Sequence, residues 1–105
     1  MKVMPAFGTR PEAIKLAPVV RQLAQAPGIE TVSCVTAQHR RMLDQVLGVF
    51  GLVPHYDLDL MRPGQDLAWL TGAVVEGVAR VLRSQRPDWL VVQGDTTTAF
   101  AAALA

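Results

Sequence analysis

The feature that most constrains the fold is an abrupt change from a strand pattern to a helix pattern within residues 2–15, KVMPAFGTRPEAIK. A short apolar run ends at Gly8, and Pro11 suits the first turn of a helix, where its missing N–H costs nothing. Thr9 and Glu12 have the spacing of a capping box, in which each side chain accepts a hydrogen bond from the other residue's backbone N–H. Pro11 disfavours helical geometry at Arg10, the residue before it. The helix cap is therefore predicted at Thr9 or at Arg10.

Such a turn can hold an anion, because backbone N–H groups and the positive end of a helix dipole point out of the sheet edge. The dipole alone contributes about 0.3–1 kcal/mol, too little to hold a nucleotide diphosphate. Arg10 on the turn and Lys15 one helical turn later supply fixed positive charge. The alternative is an ordinary capped helix with two solvated basic residues. The residues GTRPE match neither the dinucleotide-binding fingerprint nor a P-loop.

Strand and helix patterns alternate along the rest of the chain, and the pattern predicts a doubly wound parallel α/β sheet. Strands are predicted at Thr31–Thr36, Tyr56–Met61 and Trp89–Val92, and helices after Pro11, at Ala37–Phe50, after Gly64 and from Ala99. The first of these helices is interrupted by Pro18, where a kink is expected. The apolar run Trp89–Val92 is typical of a strand that is covered on both faces.

The usual strand order 3-2-1-4 would make the first and fourth strands neighbours, and ligands bind beyond the carboxyl ends of strands at such a point. The turn that contains Arg10 would then lie beside the turn Gly94–Thr96. We therefore expect Arg10, Lys15 and Asp95 to converge on one crevice. A carboxylate near two cations stays ionised and can act as a base or accept from a sugar hydroxyl.

Composition narrows the class of protein. The 105 residues suffice for one small domain, and a chain that is 50% hydrophobic and 18% charged is not expected to be disordered. The net charge of +1 gives no reason to expect nucleic acid or a membrane as partner. Cys34 lies in the apolar run VSCVT and is expected to be buried; with one Cys and two His, no metal-ligand spacing exists. No signal peptide or membrane span is visible, so a cytoplasmic protein is predicted.

Four runs carry a resemblance to a known family: FGTRPEAIKLAP, VTAQHRRMLDQVL, YDLDLMRPGQDL and RPDWLVVQGDTTTAFAAALA. In order and spacing they resemble the N-terminal quarter to third of the bacterial non-hydrolysing UDP-N-acetylglucosamine 2-epimerases. The resemblance implies interconversion of UDP-N-acetylglucosamine and UDP-N-acetylmannosamine for cell-envelope polysaccharide synthesis. UDP would leave by elimination, giving a 2-acetamidoglycal, and then add back. It also implies two Rossmann-like domains in the glycosyltransferase-B arrangement, a homodimer, and no nicotinamide or metal cofactor.

The resemblance assigns roles to residues of the two turns. Arg10 and Lys15 match the family's cationic substrate contacts, and Asp95 in GDTTT matches an essential carboxylate. For Asp95, acid/base chemistry and orientation of the sugar ring both remain open.

Gln38 and His39 match a region that in some members of the family contacts a second, activating UDP-N-acetylglucosamine molecule. Arg41 stands where those members often have a smaller polar or acidic residue, and this departure counts against the regulatory site. The alternative is that Gln38 caps the following helix and His39 is a neutral surface residue.

The sequence stops inside the predicted last helix, so residues 1–105 are interpreted as an incomplete N-terminal Rossmann-like domain without the second domain. Because the site of such enzymes lies between domains, this piece alone is expected to be inactive. Two alternatives remain open: a hydrolysing 2-epimerase that releases N-acetylmannosamine and UDP, and a non-catalytic module that binds the sugar or phosphate portion.

Overall fold

The computed structural model describes residues 1–105 and contains five short strand segments and four helices. In chain order these are β1 Lys2–Phe7, α1 Arg10–Gln25, β2 Glu30–Thr31, β3 Cys34–Val35, α2 Arg41–Phe50, β4 Tyr56–Asp57, α3 Leu67–Gln85, β5 Trp89–Val91 and α4 Thr97–Leu104. None of the four helices combines the length and the apolar character that crossing a bilayer requires.

All strand pairs in the sheet are parallel. The segments β2 and β3 lie along the same side of β1 in one continuous register, with Lys2 opposite Glu30 and Phe7 opposite Val35. They therefore form one strand run, with β4 beyond β3 and with β5 on the other side of β1. The predicted strand order, in which the first and fourth strand runs are neighbours, is confirmed.

Helices cover both faces of the sheet, and the predicted doubly wound Rossmann-like α/β fold is confirmed. On one face Met4 and Ala6 of β1 pack against buried residues of α3 and α4. On the other face Phe7 packs against buried residues of α1 and α2. The side chains alternate because successive residues of a strand point to opposite faces. Each face of β1 therefore carries its own hydrophobic cluster, and the strand is buried from Val3 onward.

Two predicted boundaries were wrong by several residues. Helix α2 begins at Arg41 rather than Ala37, because Ala37 has a left-handed φ of 57° that a right-handed helix cannot contain. The strand predicted at Tyr56–Met61 pairs only as far as Asp57. Within residues 1–105, β5 pairs with β1 on one side only, and Trp89 is 62% exposed. Leu90 packs against the cluster on one face of the sheet and Val91 against the cluster on the other, so β5 is partly covered on both faces.

Candidate functional site

Three turns meet at the carboxyl edge of the sheet. They follow β1 at Gly8, β3 at residues 36–38, and β5 at residues 94–98. Backbone hydrogen bonds join the first two turns: the Thr36 N–H donates to Phe7 O at 2.9 Å, and the His39 N–H donates to Gly8 O at 2.9 Å. We call the meeting point the carboxyl-edge cluster, and its members are Gly8, Glu12, Thr36, Gln38, Thr96 and Thr98.

Gly8 lies at the centre of the carboxyl-edge cluster. A Cβ atom at this position would lie 1.8 Å from Thr36 Oγ1 and 2.8 Å from Thr98 Oγ1, so no side chain fits. Glycine is therefore required by the close approach of the three turns. The sequence predicts a turn at Gly8 but cannot show which residues surround it.

Glu12 joins the turn after β1 to the turn after β5. Its side chain is among the most buried in the protein, with the residue 2% exposed. The carboxylate accepts from the Gly8 N–H at 2.9 Å and the Thr9 N–H at 3.2 Å through Oε2. The other oxygen, Oε1, accepts from the Thr96 hydroxyl. One side chain thus ties the start of α1 to the start of α4.

The predicted capping box between Thr9 and Glu12 is present at the start of α1. Its Glu12 half is a hydrogen bond from the Thr9 N–H at 3.2 Å, whereas the buried Thr9 Oγ1 faces the Glu12 N–H without a hydrogen bond of ordinary geometry. The cap residue itself is Thr9, in extended geometry. Glu12 is the better placed partner because its carboxylate reaches two adjacent backbone donors and a hydroxyl at once.

This arrangement corrects the prediction of a free anion site on the backbone of the turn. The N–H groups of Gly8 and Thr9 already donate to the protein's own carboxylate. A ligand anion would meet that buried negative charge if it approached the same donors. The side chains of Arg10 and Lys15 are both exposed and remain available to an anion at this turn.

Thr98 forms a second link across the carboxyl-edge cluster. Its hydroxyl donates to Gln38 Oε1 at 2.8 Å and lies 3.0 Å from Thr36 Oγ1. Since a hydroxyl has one proton, Thr36 is the donor to Thr98. The prediction that Gln38 caps α2 was wrong, because the N-cap is Arg40 and the Gln38 carbonyl is used by Thr98 instead.

Thr96 is the N-cap of α4: its Oγ1 accepts from the Ala99 N–H at 3.2 Å. The same hydroxyl group donates its proton to Glu12. Both the lone pair and the proton of this hydroxyl are engaged, which sets the rotamer of Thr96. Asp95 directly precedes it in the turn.

The structure brings the turns of Arg10 and Asp95 side by side but does not join the side chains. Both residues and Lys15 are exposed, and none of the three forms an ion pair. Arg10 instead lines a groove of about 320 Å³ between α1 and α2, together with Ile14, Gln45, Val46, Val49 and Phe50. The predicted adjacency of the turns is confirmed by the pairing of β5 with β1. Convergence of the three side chains on one crevice stays a prediction. The Glu12–Thr96 contact joins the two turns.

Two further predictions concern His39 and Cys34. His39 is exposed, and only its backbone contacts the carboxyl-edge cluster, so its role in binding an activator stays a prediction. Cys34 is buried, as predicted, and burial raises its thiol pKa to about 12, with a smaller contribution from the nearby Asp57 carboxylate. A thiol in this state is not a nucleophile at neutral pH. No three His, Cys, Asp or Glu side chains are grouped so that they could hold a metal ion.

A charged network that the sequence did not predict lies next to the carboxyl-edge cluster. The Arg40 guanidinium contacts Asp44 at 2.5 Å, Asp57 at 2.9 Å and Asp59 at 3.3 Å. Hydrogen bonds to Asp44 and then Asp57 raise the pKa of Arg40, and the hydrogen bond from Arg40 lowers the pKa of Asp44. The spacing of Arg40 and Asp44, four residues apart, was the one available signal. The network anchors the start of α2 to the end of β4 and to the segment that follows it.

The lowered pKa of Asp44 predicts a pH-dependent contribution to stability. A carboxyl whose pKa is lower in the folded state stabilises the fold at pH values above its ordinary pKa of about 4. This stabilisation is lost as the pH falls through the pKa of the folded state. The side chain is 51% exposed, so we expect Asp44→Asn to cost less than about 1 kcal/mol at pH 7. Urea denaturation between pH 3 and pH 7 should show this cost shrinking below about pH 4.

Glu76→Gln is the control for this measurement, because Glu76 is 77% exposed and its oxygen lies 3.9 Å from Arg80. Its effect should stay close to zero across the same pH range. A cost of Asp44→Asn that grows as the pH falls would contradict the prediction.

Comparison with known proteins gives a consistent picture. The family model described as UDP-N-acetylglucosamine 2-epimerase matches residues 21–105. The UDP-N-acetylglucosamine 2-epimerase of Yersinia pestis is 57% identical over all 105 residues, which span 28% of that protein.

Two solved structures share the fold. The UDP-GlcNAc 2-epimerase of Neisseria meningitidis, bound to UDP-GlcNAc, superposes with a TM-score of 0.93 at 50% identity, over 99% of this chain and 28% of that one. The Methanocaldococcus jannaschii enzyme, in complex with UDP-GlcNAc and UDP, gives a TM-score of 0.90 at 34% identity, over 99% and 29%. The chain therefore spans less than a third of the length of these relatives.

Proposed function

Because the chain belongs to the UDP-N-acetylglucosamine 2-epimerase family, we propose that it forms part of an isomerase that interconverts UDP-N-acetylglucosamine and UDP-N-acetylmannosamine. The observation that carries this proposal is the family match over residues 21–105, which includes the Asp95 turn. The fold supports it, since the basic turn after β1 and the acidic turn after β5 lie on neighbouring parallel strands. Ligands of doubly wound sheets bind at such an edge.

In the proposed reaction, elimination of UDP gives a 2-acetamidoglycal, and UDP then adds back to this glycal. The proton on carbon 2 is not next to a carbonyl and is therefore not acidic in the bound substrate. Departure of the diphosphate builds positive charge at carbon 1, and this charge makes the neighbouring carbon-2 proton acidic. Arg10 and Lys15 would stabilise the negative charge that develops on the departing diphosphate. Both cations are exposed and unpaired, and so are free to contact a ligand.

Asp95 is proposed to move the carbon-2 proton or to orient the sugar ring. Its carboxylate is exposed at the carboxyl edge and forms no ion pair, so it is accessible to a substrate. The Glu12–Thr96 contact supports the turn behind it.

Gln38 and His39 are proposed to contact an activating nucleotide sugar. The Gln38 carbonyl is already bound to Thr98, so this contact would use the Gln38 amide nitrogen and the His39 ring.

The remaining expectations concern the complete enzyme. We propose a second Rossmann-like domain in the glycosyltransferase-B arrangement, a cytoplasmic homodimer, and a role in cell-envelope polysaccharide synthesis. The observation that supports the second domain is that this chain spans only 28% of the Yersinia pestis protein. A site between two domains would leave residues 1–105 without turnover on their own.

The test is incubation of the complete enzyme with UDP-N-acetylglucosamine in D2O, followed by NMR. We expect UDP-N-acetylmannosamine that carries deuterium at carbon 2, and no turnover by residues 1–105 alone. Release of free N-acetylmannosamine and UDP would favour the hydrolysing alternative. Absence of both products and of deuterium incorporation would refute the proposal.

A further inference from the structure

We propose that Glu12 is a positioning residue for Asp95, acting through Thr96 across the sheet edge; this inference rests on the proposed function. Glu12 and Thr96 are 84 positions apart in the chain, yet the Thr96 hydroxyl donates directly to the Glu12 carboxylate. Asp95 is the residue next to Thr96, so the contact lies one residue from the proposed catalytic carboxylate.

The burial of Glu12 makes the contact rigid. A carboxylate that is 2% exposed and has no cationic partner is costly unless donors surround it. Here the Gly8 N–H, the Thr9 N–H and the Thr96 hydroxyl donate to it, and the positive end of the α1 dipole faces it. Hydrogen bonds to an ionised acceptor are about twice as strong as neutral ones. The carboxylate therefore holds its three donors in one arrangement.

The turn before α4 has few other restraints near Asp95. Gly94 has a φ of 86°, a geometry that glycine adopts without strain, and the Asp95 side chain has no hydrogen bond or ion pair that would fix it. The Thr96 hydroxyl, in contrast, both accepts from Ala99 and donates to Glu12. Because Thr96 is held on both sides, the backbone just after Asp95 is held as well.

Glu12 does not touch the substrate in this proposal, since its oxygens are enclosed by the two turns. Its contribution is geometric: a misplacement of about 1 Å of a catalytic group can lower a rate by about a hundredfold. Replacing the carboxylate with an amide alters this contact without changing the size of the side chain.

The experiment compares Glu12→Gln with wild type in the complete enzyme. An amide keeps one acceptor oxygen for the backbone donors but presents an NH₂ group to Thr96, whose proton then has no acceptor. We expect kcat for epimerisation to fall about 10- to 100-fold while KM changes by less than about threefold. The control Glu76→Gln, on the exposed face of α3, should leave both constants unchanged.

Thr96 variants test the same contact from the other side. Thr96→Ser keeps the hydroxyl and should retain near-wild-type kcat, whereas Thr96→Val removes it and should lower kcat. The double variant Glu12→Gln/Thr96→Val should be no slower than the slower single variant, because both remove one contact. Multiplicative losses in the double variant would overturn the proposal, as would wild-type kcat in a folded Glu12→Gln enzyme. If Glu12→Gln does not fold, the comparison of Thr96→Ser with Thr96→Val tests the proposal, and equal kcat values for these two variants would overturn it.

Hydrogen exchange separates failure of this inference from failure of the proposed function. The Ala99 N–H donates to Thr96 Oγ1, so its exchange reports the orientation of Thr96. In Glu12→Gln the Ala99 N–H should exchange at least roughly tenfold faster, because the Thr96 hydroxyl has lost its hydrogen bond to the charged Glu12 carboxylate. Unchanged protection of Ala99 would overturn the positioning role. Wild-type enzyme that fails to epimerise, with Ala99 still deprotected in Glu12→Gln, would refute the proposed function and leave the contact established.

Discussion

Replacing Asp95 with Asn in the complete enzyme is expected to lower exchange of the carbon-2 hydrogen with solvent by a factor of about 10²–10⁴, the usual contribution of a positioned acid or base. The change keeps the size of the side chain and removes its capacity to take a proton. Asp95 is exposed and forms no ion pair, so the loss cannot be attributed to a broken structural contact. NMR of UDP-N-acetylglucosamine in D2O measures the deuterium that enters at carbon 2.

The matched control is Glu76→Gln, which also converts an exposed carboxylate to an amide, but on α3. Its exchange rate and its thermal stability should equal those of wild type. Asp95→Asn should share the stability of the control and lose the exchange. Wild-type exchange in Asp95→Asn would refute a catalytic role for Asp95.

Gly8→Ala is expected to destabilise the fold by about 3 kcal/mol, at the upper end of the usual cost of overpacking a core. The new Cβ would lie 1.8 Å from Thr36 Oγ1 and 2.8 Å from Thr98 Oγ1. Neither hydroxyl can move freely, because Thr36 and Thr98 are buried and bonded to each other. Chemical denaturation of the variant and wild type measures the difference in the free energy of unfolding.

Gly48→Ala is the matched control for Gly8→Ala. Gly48 lies inside α2, and a Cβ there would meet nothing within 4 Å. Alanine is a better helix former and restricts the unfolded chain, so this variant should be more stable than wild type by about 0.4–1 kcal/mol. Replacement of glycine by alanine is therefore expected to lower the free energy of unfolding at Gly8 and to raise it at Gly48. A Gly8→Ala variant as stable as wild type would show that the three turns are not as closely packed as the structure indicates.

Local signals in the sequence predicted most of the fold. The change of pattern around Gly8 located the turn from β1 into α1, and the alternation of strand and helix patterns located the elements that follow. Gly51 in left-handed geometry ends α2, and Thr96 caps α4, as their residue types suggest. Alternation of strands and helices then favoured one strand order, which pairing of β5 with β1 confirms. These features depend on neighbours in the chain or on rules common to parallel sheets.

Contacts at the candidate site were harder to predict, because they join residues that are far apart in the chain. Thr9 and Glu12 have capping-box spacing, but that spacing could not show that the Glu12 carboxylate also receives the Thr96 hydroxyl. Gln38 was expected to cap its own helix and instead bonds Thr98, 60 positions away. Side-chain partners of this kind are selected by the distance between atoms after the sheet has formed.

The amino-acid sequence by itself determined the local course of this chain and the edge at which its basic and acidic turns emerge, since both follow from short-range patterns and from parallel pairing. Only the tertiary structure decided that the two turns are tied by the buried Glu12 carboxylate while Arg10 and Asp95 remain free of each other. The physical reason is that a hydrogen bond depends on a few tenths of an ångström between atoms of distant residues.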